Sequence, residues 1–145
     1  MSIDVQDEVL IERPRNVVGE FVFNPKCDKI WKTGLSKVFP IILGNYAKGS
    51  KVEYVGDFLG RGFSTIVIVT RAEPDTSLEL VADDPFPLKM RLDLKDDDAG
   101  TKVKFRVQSV DEHGYPMPAT TVAKAMLDKV KTDLRKLKKH LEEAE

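Results

Sequence analysis

Residues 21–35, FVFNPKCDKIWKTGL, hold the chain's only cysteine, Cys27, and its only tryptophan, Trp31. Residues at i and i+4 of one helix share a face, so the two singletons are either a reactive pair or a packing anchor. Asn24 before Pro25 reads as a break and a restart, with Asn24 capping a short helix through about Lys32 and Gly34 placed to end it. Upstream, Pro14 leads a first helix in which Val17, Val18, Phe21 and Val22 recur at helical spacing. Gly19 lies inside that helix and costs it about 1 kcal/mol relative to alanine. It points either to a close helix-to-sheet contact or to a widened entrance. Before the helix pair, residues 3–12, IDVQDEVLIE, mix charge with β-branched residues and read as a first strand.

Downstream of Gly34 the texture changes. Turn signals arrive at GNYAKGS (44–50), GRG (60–62), EPDTS (73–77), ADDP (82–85) and DDDAGT (96–101). Between them run LSKVFPIIL, KVEYVGDFL, FSTIVIVTRA, LELV, FPLKMRLDLK and KVKFRVQSV, which read as six further strands. Leu88, Met90, Leu92 and Leu94 alternate with Lys89, Arg91, Asp93 and Lys95, and Val103, Phe105 and Val107 alternate with Lys102, Lys104 and Arg106. Period-two alternation describes an antiparallel sheet covered on one side. The run IVIV at 66–69 is apolar at both parities, so its inward face stays open.

The cover is the last segment. Val122, Met126, Val130, Leu134, Leu137 and Leu141 form one apolar stripe along about 25 residues. Pro116 and Pro118 precede it, and Thr120 or Thr121 is placed to cap it. The start of this helix, ATTVAKAM, carries small residues, while its end, LRKLKKHL, carries leucine. Small residues facing a concave sheet leave room, so a cavity between sheet and helix is expected. The alternative is that sheet aromatics fill the gap. The expected fold is α+β: a seven-stranded curved antiparallel sheet wrapped around a long C-terminal helix, with two short helices after strand 1, and the Cys27–Trp31 face packed on the sheet edge.

This ordered set resembles the START-like superfamily, also called SRPBCC, whose helix-grip fold is shared with the birch-pollen-allergen proteins. The carriers are IERPRNVVGEFVFNPKCDKIW, KGSKVEYVGDF, AEPDTSLELV, GTKVKFRV and the closing helix ending LRKLKKHLEE. The resemblance implies a single START-like domain over residues 1–145. Within the superfamily the chain is similar to small polyketide cyclase/dehydrase-like members. The resemblance implies a hydrophobic small molecule or lipid-like ligand under the long helix, and it carries over no catalytic residue. Many relatives place a bulky aromatic in the first helix where this chain reads VVGEFVF.

Composition bounds the rest. Across 145 residues, 23 basic side chains against 24 acidic ones give a net charge of −1, which offers nucleic acid no attraction. One cysteine forms no internal disulfide, and two histidines with it are a poor zinc kit. The acidic start MSIDVQDEV has no secretory character, and apolar runs such as FPIIL are too short to span a bilayer. A cytoplasmic location, no stable membrane insertion, no metal and no cofactor are expected.

Local motifs have plain readings. Cys27 with His113 or His140 lacks any oxyanion-hole signature. GRGFST (60–65) precedes a strand rather than the helix a phosphate loop needs. DDDAG (96–100) lacks the ligand spacing of a calcium loop. Lys124, Lys129, Lys131, Arg135, Lys136, Lys138 and Lys139, offset by Asp128 and Asp133, read as a solvated basic face or a weak docking surface for an acidic partner or anionic headgroup.

No catalytic residue is assigned. The expected ligand contacts are Ala119, Val122, Ala123 and Met126 from the helix, with Tyr54, Leu80, Met90, Leu92 and Phe105 from the sheet. Asp7, Tyr54, Thr65 and Arg71 are polar groups that either face the cavity or lie on the wet side, Tyr54 being favoured because it shares parity with Val52. The leading expectation is carriage of an apolar small molecule. The alternatives are a cyclase or dehydratase, which needs an acid–base group in the cavity, and a protein-interaction module like the START-like activators of a heat-shock chaperone.

Overall fold

The chain is described by a computed structural model over residues 3–41, 44–84, 86–109 and 115–143. Strand β1 (Ile3–Ile11) leads through Pro14 into helix α1 (Arg15–Val22). Pro14 sits just before the helix, its carbonyl accepting from the backbone N–H groups of Val17 and Val18. A Cβ at Gly19 would lie 2.0 Å from the Asp75 carboxylate and 2.8 Å from the Asp75 Cα. Gly19 therefore serves a close contact, and the partner is the turn between two strands rather than a strand itself.

Asn24 Oδ1 accepts from Lys26 N at 3.0 Å and starts a short 3₁₀ turn, Pro25–Cys27, which runs directly into α2 (Asp28–Trp31). Trp31 is fully buried and packs against Phe105, ring centroids 5.7 Å apart. Phe105 lies on an interior strand, so the packing is onto the sheet's inner face and not its edge. Cys27 is half-buried, and burial, with Asp28 beside it, raises its thiol pKa.

Six strands follow: β2 (Leu35–Pro40), β3 (Lys51–Phe58), β4 (Arg61–Glu73), β5 (Ser77–Ala82), β6 (Leu88–Asp97) and β7 (Gly100–Ser109). With β1 they form one antiparallel sheet in the order β1-β7-β6-β5-β4-β3-β2. The expected strand 35–43 ends at Pro40, and Ile42 and Leu43 lie outside the described residues, as do Pro85, Val110 and His113. In the IVIV run Val67 and Val69 face inward and are buried, while Ile66 and Ile68 point outward, 44% and 38% exposed. The β3–β4 turn is Leu59–Gly60, both at positive φ, which matches the twist of a two-residue hairpin. Gly62 already belongs to β4.

Helix α3 (Ala119–Glu143) buries Val122, Met126, Val130, Leu134, Leu137 and Leu141, the stripe expected from its sequence. Its last turns are tied to the end of β1. Lys138 Nζ donates to Leu10 O at 2.7 Å, Arg13 Nε to Leu141 O at 2.8 Å, and Glu12 N to the Glu142 carboxylate at 2.9 Å. No helix among the described residues is long and apolar enough to cross a membrane.

Candidate functional site

Between α3 and the strands β3 to β7 lies a cavity of about 60 Å³. Its wall is mainly apolar, with Phe63, Val67, Met90, Phe105, Val107 and Met126 among the lining residues. Lys32, Thr33, Tyr54, Thr65 and Lys129 line the same space, with the exposed carboxylates Asp57 and Asp84.

The polar groups are held by a close backbone approach. A Cβ at Gly56 would lie 2.1 Å from Gly34 O, and Gly34 itself sits at φ +90. Only glycines let the link after α2 pass this near to β3, and that passage sets Lys32 beside Tyr54. Tyr54 faces inward from the middle of β3, across from Thr65 on β4. Tyr46 enters from the β2–β3 connection, anchored by its backbone N–H donating to Phe23 O at 2.7 Å.

Four buried side chains meet at one side of the cavity, two of them, Lys32 and Tyr54, in its wall. Asp28 is 0% exposed, and Lys32, Tyr46 and Tyr54 are each 4% exposed. Both tyrosine hydroxyls donate to Asp28 Oδ2 and stand 2.8 Å from each other. Lys32 Nζ donates to the Tyr54 hydroxyl at 3.0 Å and lies 3.5 Å from Asp28 Oδ2. It also sits 5.3 Å from the ring centroids of both Trp31 and Tyr54, within cation–π range. Asp28 Oδ1 is buried with no partner among the described residues.

This environment favours neutral forms. Burial raises the Asp28 carboxyl above its ordinary 3.8, against the opposing pull of Lys32 and the tyrosine hydrogen bonds. Burial lowers Lys32 below its ordinary 10.5, with Asp28 opposing and Lys129 adding to the drop. Burial and the Asp28 charge raise both tyrosines above 10.0, so both phenols keep their protons. Burial thus pushes both members of the Asp28–Lys32 pair toward their neutral forms, and their mutual attraction at 3.5 Å opposes it.

A second buried carboxylate supports the first. Asp133 on α3 is 0% exposed and accepts from Thr33 N and Lys129 Nζ, both at 2.7 Å. It therefore lies inside the molecule, not on a solvated face, and pins α3 to the link that carries Lys32. Lys136 reaches Thr33 Oγ1 at 3.4 Å.

Of the expected contacts, Tyr54, Met90, Phe105 and Met126 line the cavity. Leu80 and Leu92 are buried beside it, around a tightly closed contact with Lys32, Met90 and Phe105. Val122 is buried and Ala119 and Ala123 are half-buried, but the cavity meets α3 later, at Met126 and Lys129. Thr65 lines the cavity; Asp7 is half-buried outside it, and Arg71 is exposed, bonded to Ser77 and Glu73. His140 is exposed against the Phe21 ring. Sequence reasoning passed over Asp28, Lys32 and Tyr46. The available signal was an acid–base pair at i,i+4 bracketing the chain's only tryptophan.

No family model matches the chain, and no curated protein matches it in sequence. Solved structures match it over nearly its whole length. Protein MLL2253 from Mesorhizobium loti superposes with a TM-score of 0.75 at 16% identity, covering 98% of both chains. TTHA0849 from Thermus thermophilus gives 0.74 at 14%, covering 95% of this chain and 96% of that one. Ara h 8.0201, of the birch-pollen-allergen type, gives 0.70 at 12%, with 95% and 96% covered. At such identities the likeness is one of fold, and the fold of this chain is the helix grip.

Proposed function

We propose that the chain binds a small, neutral, mainly apolar molecule with one hydroxyl or carbonyl group, its polar end at Tyr54 and Lys32. The observation that carries this reading is an apolar cavity walled on one side by a charge-balanced pair. Lys32 is already paired with Asp28, and Lys129 with Asp133. An anionic ligand would add an uncompensated buried charge, at a cost of several kcal/mol, whereas a neutral polar group adds none. The space of about 60 Å³ suits a handful of heavy atoms and argues against a lipid- or polyketide-sized occupant. The docking alternative is weakened because Lys129, Lys136 and Lys138 direct their ammonium groups to partners within the molecule.

The test is a matched pair of probes, 1-butanol and butanoate, titrated into isotope-labelled protein by NMR. Butanol is expected to move the amide signals of Tyr54, Thr65, Val67 and Met126, and butanoate to bind about tenfold or more weakly. Val67→Phe, which fills the cavity, is expected to abolish the butanol response. Shifts confined to other residues, or tighter binding of butanoate, would overturn the reading.

A further inference from the structure

Binding uses the Tyr54 hydroxyl and the Lys32 amine as polar contacts, but it gives no role to the buried Asp28 carboxyl held against them. Resting on the neutral-ligand reading above, we propose that Lys32 is a nucleophile that forms an imine with a small aldehyde or ketone held in the cavity, with Tyr54 and Asp28 moving the protons.

The geometry supplies each requirement. The Lys32 side chain lines the cavity yet is 4% exposed, so its amine is screened from bulk water. In water at pH 7 a lysine is neutral in only about three molecules in ten thousand, and a desolvated site raises that share. Asp28 Oδ2 at 3.5 Å is positioned to hold the proton the amine gives up. The Tyr54 hydroxyl, 3.0 Å from Nζ and bonded to the same carboxylate, links the amine to the proton store. Asp28 Oδ1, buried and without a partner among the described residues, has an acceptor site to spare. Tyr46 donates to the same oxygen of Asp28. The Lys129–Asp133 pair is balanced within itself, and the exposed carboxylates Asp57 and Asp84 are the other charged groups lining the cavity.

The step balances as follows. With the proton on Asp28, the Lys32 lone pair attacks the carbonyl carbon, a C–N bond forms, and the carbonyl π pair moves to oxygen. That oxygen takes a proton through Tyr54 from Asp28, and the nitrogen returns one to the carboxylate, giving a neutral carbinolamine. The nitrogen lone pair then forms C=N while the C–O bond breaks. The departing hydroxyl takes the Asp28 proton and leaves as water. The products are an iminium on Lys32, an ionised Asp28 facing it, and one water; nothing is oxidised or reduced. The apolar wall limits access of water for the reverse reaction.

The experiment incubates the full chain with butanal or 2-butanone at pH 7 in the presence of cyanoborohydride. This reagent delivers hydride to an imine and leaves a stable secondary amine. Mass-spectrometric mapping is expected to find one butyl group on Lys32, forming about tenfold or more faster than on the exposed Lys124, Lys131 or Lys139. Asp28→Asn is expected to slow trapping by about a hundredfold. Because Lys32→Met risks misfolding, the mapping on the unaltered chain carries the test. Labelling spread over the exposed lysines, or an adduct on Lys129 alone, would overturn the proposal. Butanol shifts at the cavity without a Lys32 adduct would overturn the imine and leave the binding reading standing; neither shifts nor adduct would remove both.

Discussion

Replacing Lys32 with methionine deletes the ammonium and keeps most of the stem. Asp28 then retains its two tyrosine donors but loses the cation 3.5 Å away. At an effective dielectric of about 20 the lost attraction is about 5 kcal/mol, and removing one partner of a buried pair costs about 3–5 kcal/mol in practice. The loss depends on pH, and its sign is fixed. The Asp28 pKa is raised above 3.8 by burial, so its contribution to stability is complete below 3.8 and is lost as pH rises through the folded-state value. Without Lys32 that value rises further. Lys32 in the unaltered protein has the opposite dependence: lowered below 10.5, its contribution is complete above 10.5 and lost as pH falls through its folded value, a loss at low pH that the methionine variant escapes. The deficit of Lys32→Met should therefore be larger at about pH 8 than at about pH 5.

The double change Asp28→Leu with Lys32→Met removes both charges. Exchange of a buried pair for apolar side chains is commonly worth about 1–4 kcal/mol, offset by about 1–3 kcal/mol for the tyrosine hydroxyl proton left unpartnered. The double variant should thus lie within about 3 kcal/mol of the unaltered protein, and the coupling in the cycle should reach about 3 kcal/mol or more. Urea unfolding of all four proteins at both pH values measures this, with equal m-values as the check on a shared mechanism. Additive single effects, or a Lys32→Met deficit that ignores pH, would refute the reasoning.

Gly19→Ala should destabilise by about 1–3 kcal/mol despite alanine's better helix propensity, because the new methyl would collide with Asp75; a rise in melting temperature would count against the close contact between α1 and the β4–β5 turn. Asp133→Ala should cost about 1.5–3 kcal/mol, and it should accelerate hydrogen exchange at the Thr33 amide selectively, since that N–H loses its acceptor. Unchanged protection at Thr33 would mean that Asp133 does not hold the link in place.

The fold was readable because its punctuation is local. Pro14, Asn24 and Gly34 mark helix ends through their own backbone preferences, and the α3 stripe from Val122 to Leu141 obeys helical period without help from the sheet. The site was not readable because its polar groups come from three separate elements. Asp28 and Lys32 read as ordinary surface charges on a short helix. Only the passage of Gly34 against Gly56 turns that helix so that both are buried. Tyr46 lies in a stretch whose glycines and lysine signal a turn, where an aromatic is usually solvated. Tyr54 was reachable because strand parity with Val52 is a local property. The cavity meets α3 at Met126 and Lys129 through contacts with distant strands, which no local pattern encodes.

The pairing of β1 with β7 has a kinetic consequence. Ile3 is opposite Ser109 and Ile11 is opposite Thr101, and the far end of α3 closes over the same strand. β1 thus finds its partners only after most of the chain is available. Contacts of such sequence separation place a domain toward the slower end, milliseconds to seconds. During that wait the meander β2 to β7 can form by neighbouring hairpins, with the edge of β7 exposed until β1 arrives. The docking of β1, and with it the closure of the helix over the sheet, is then the step expected to govern how fast the binding cavity comes into being.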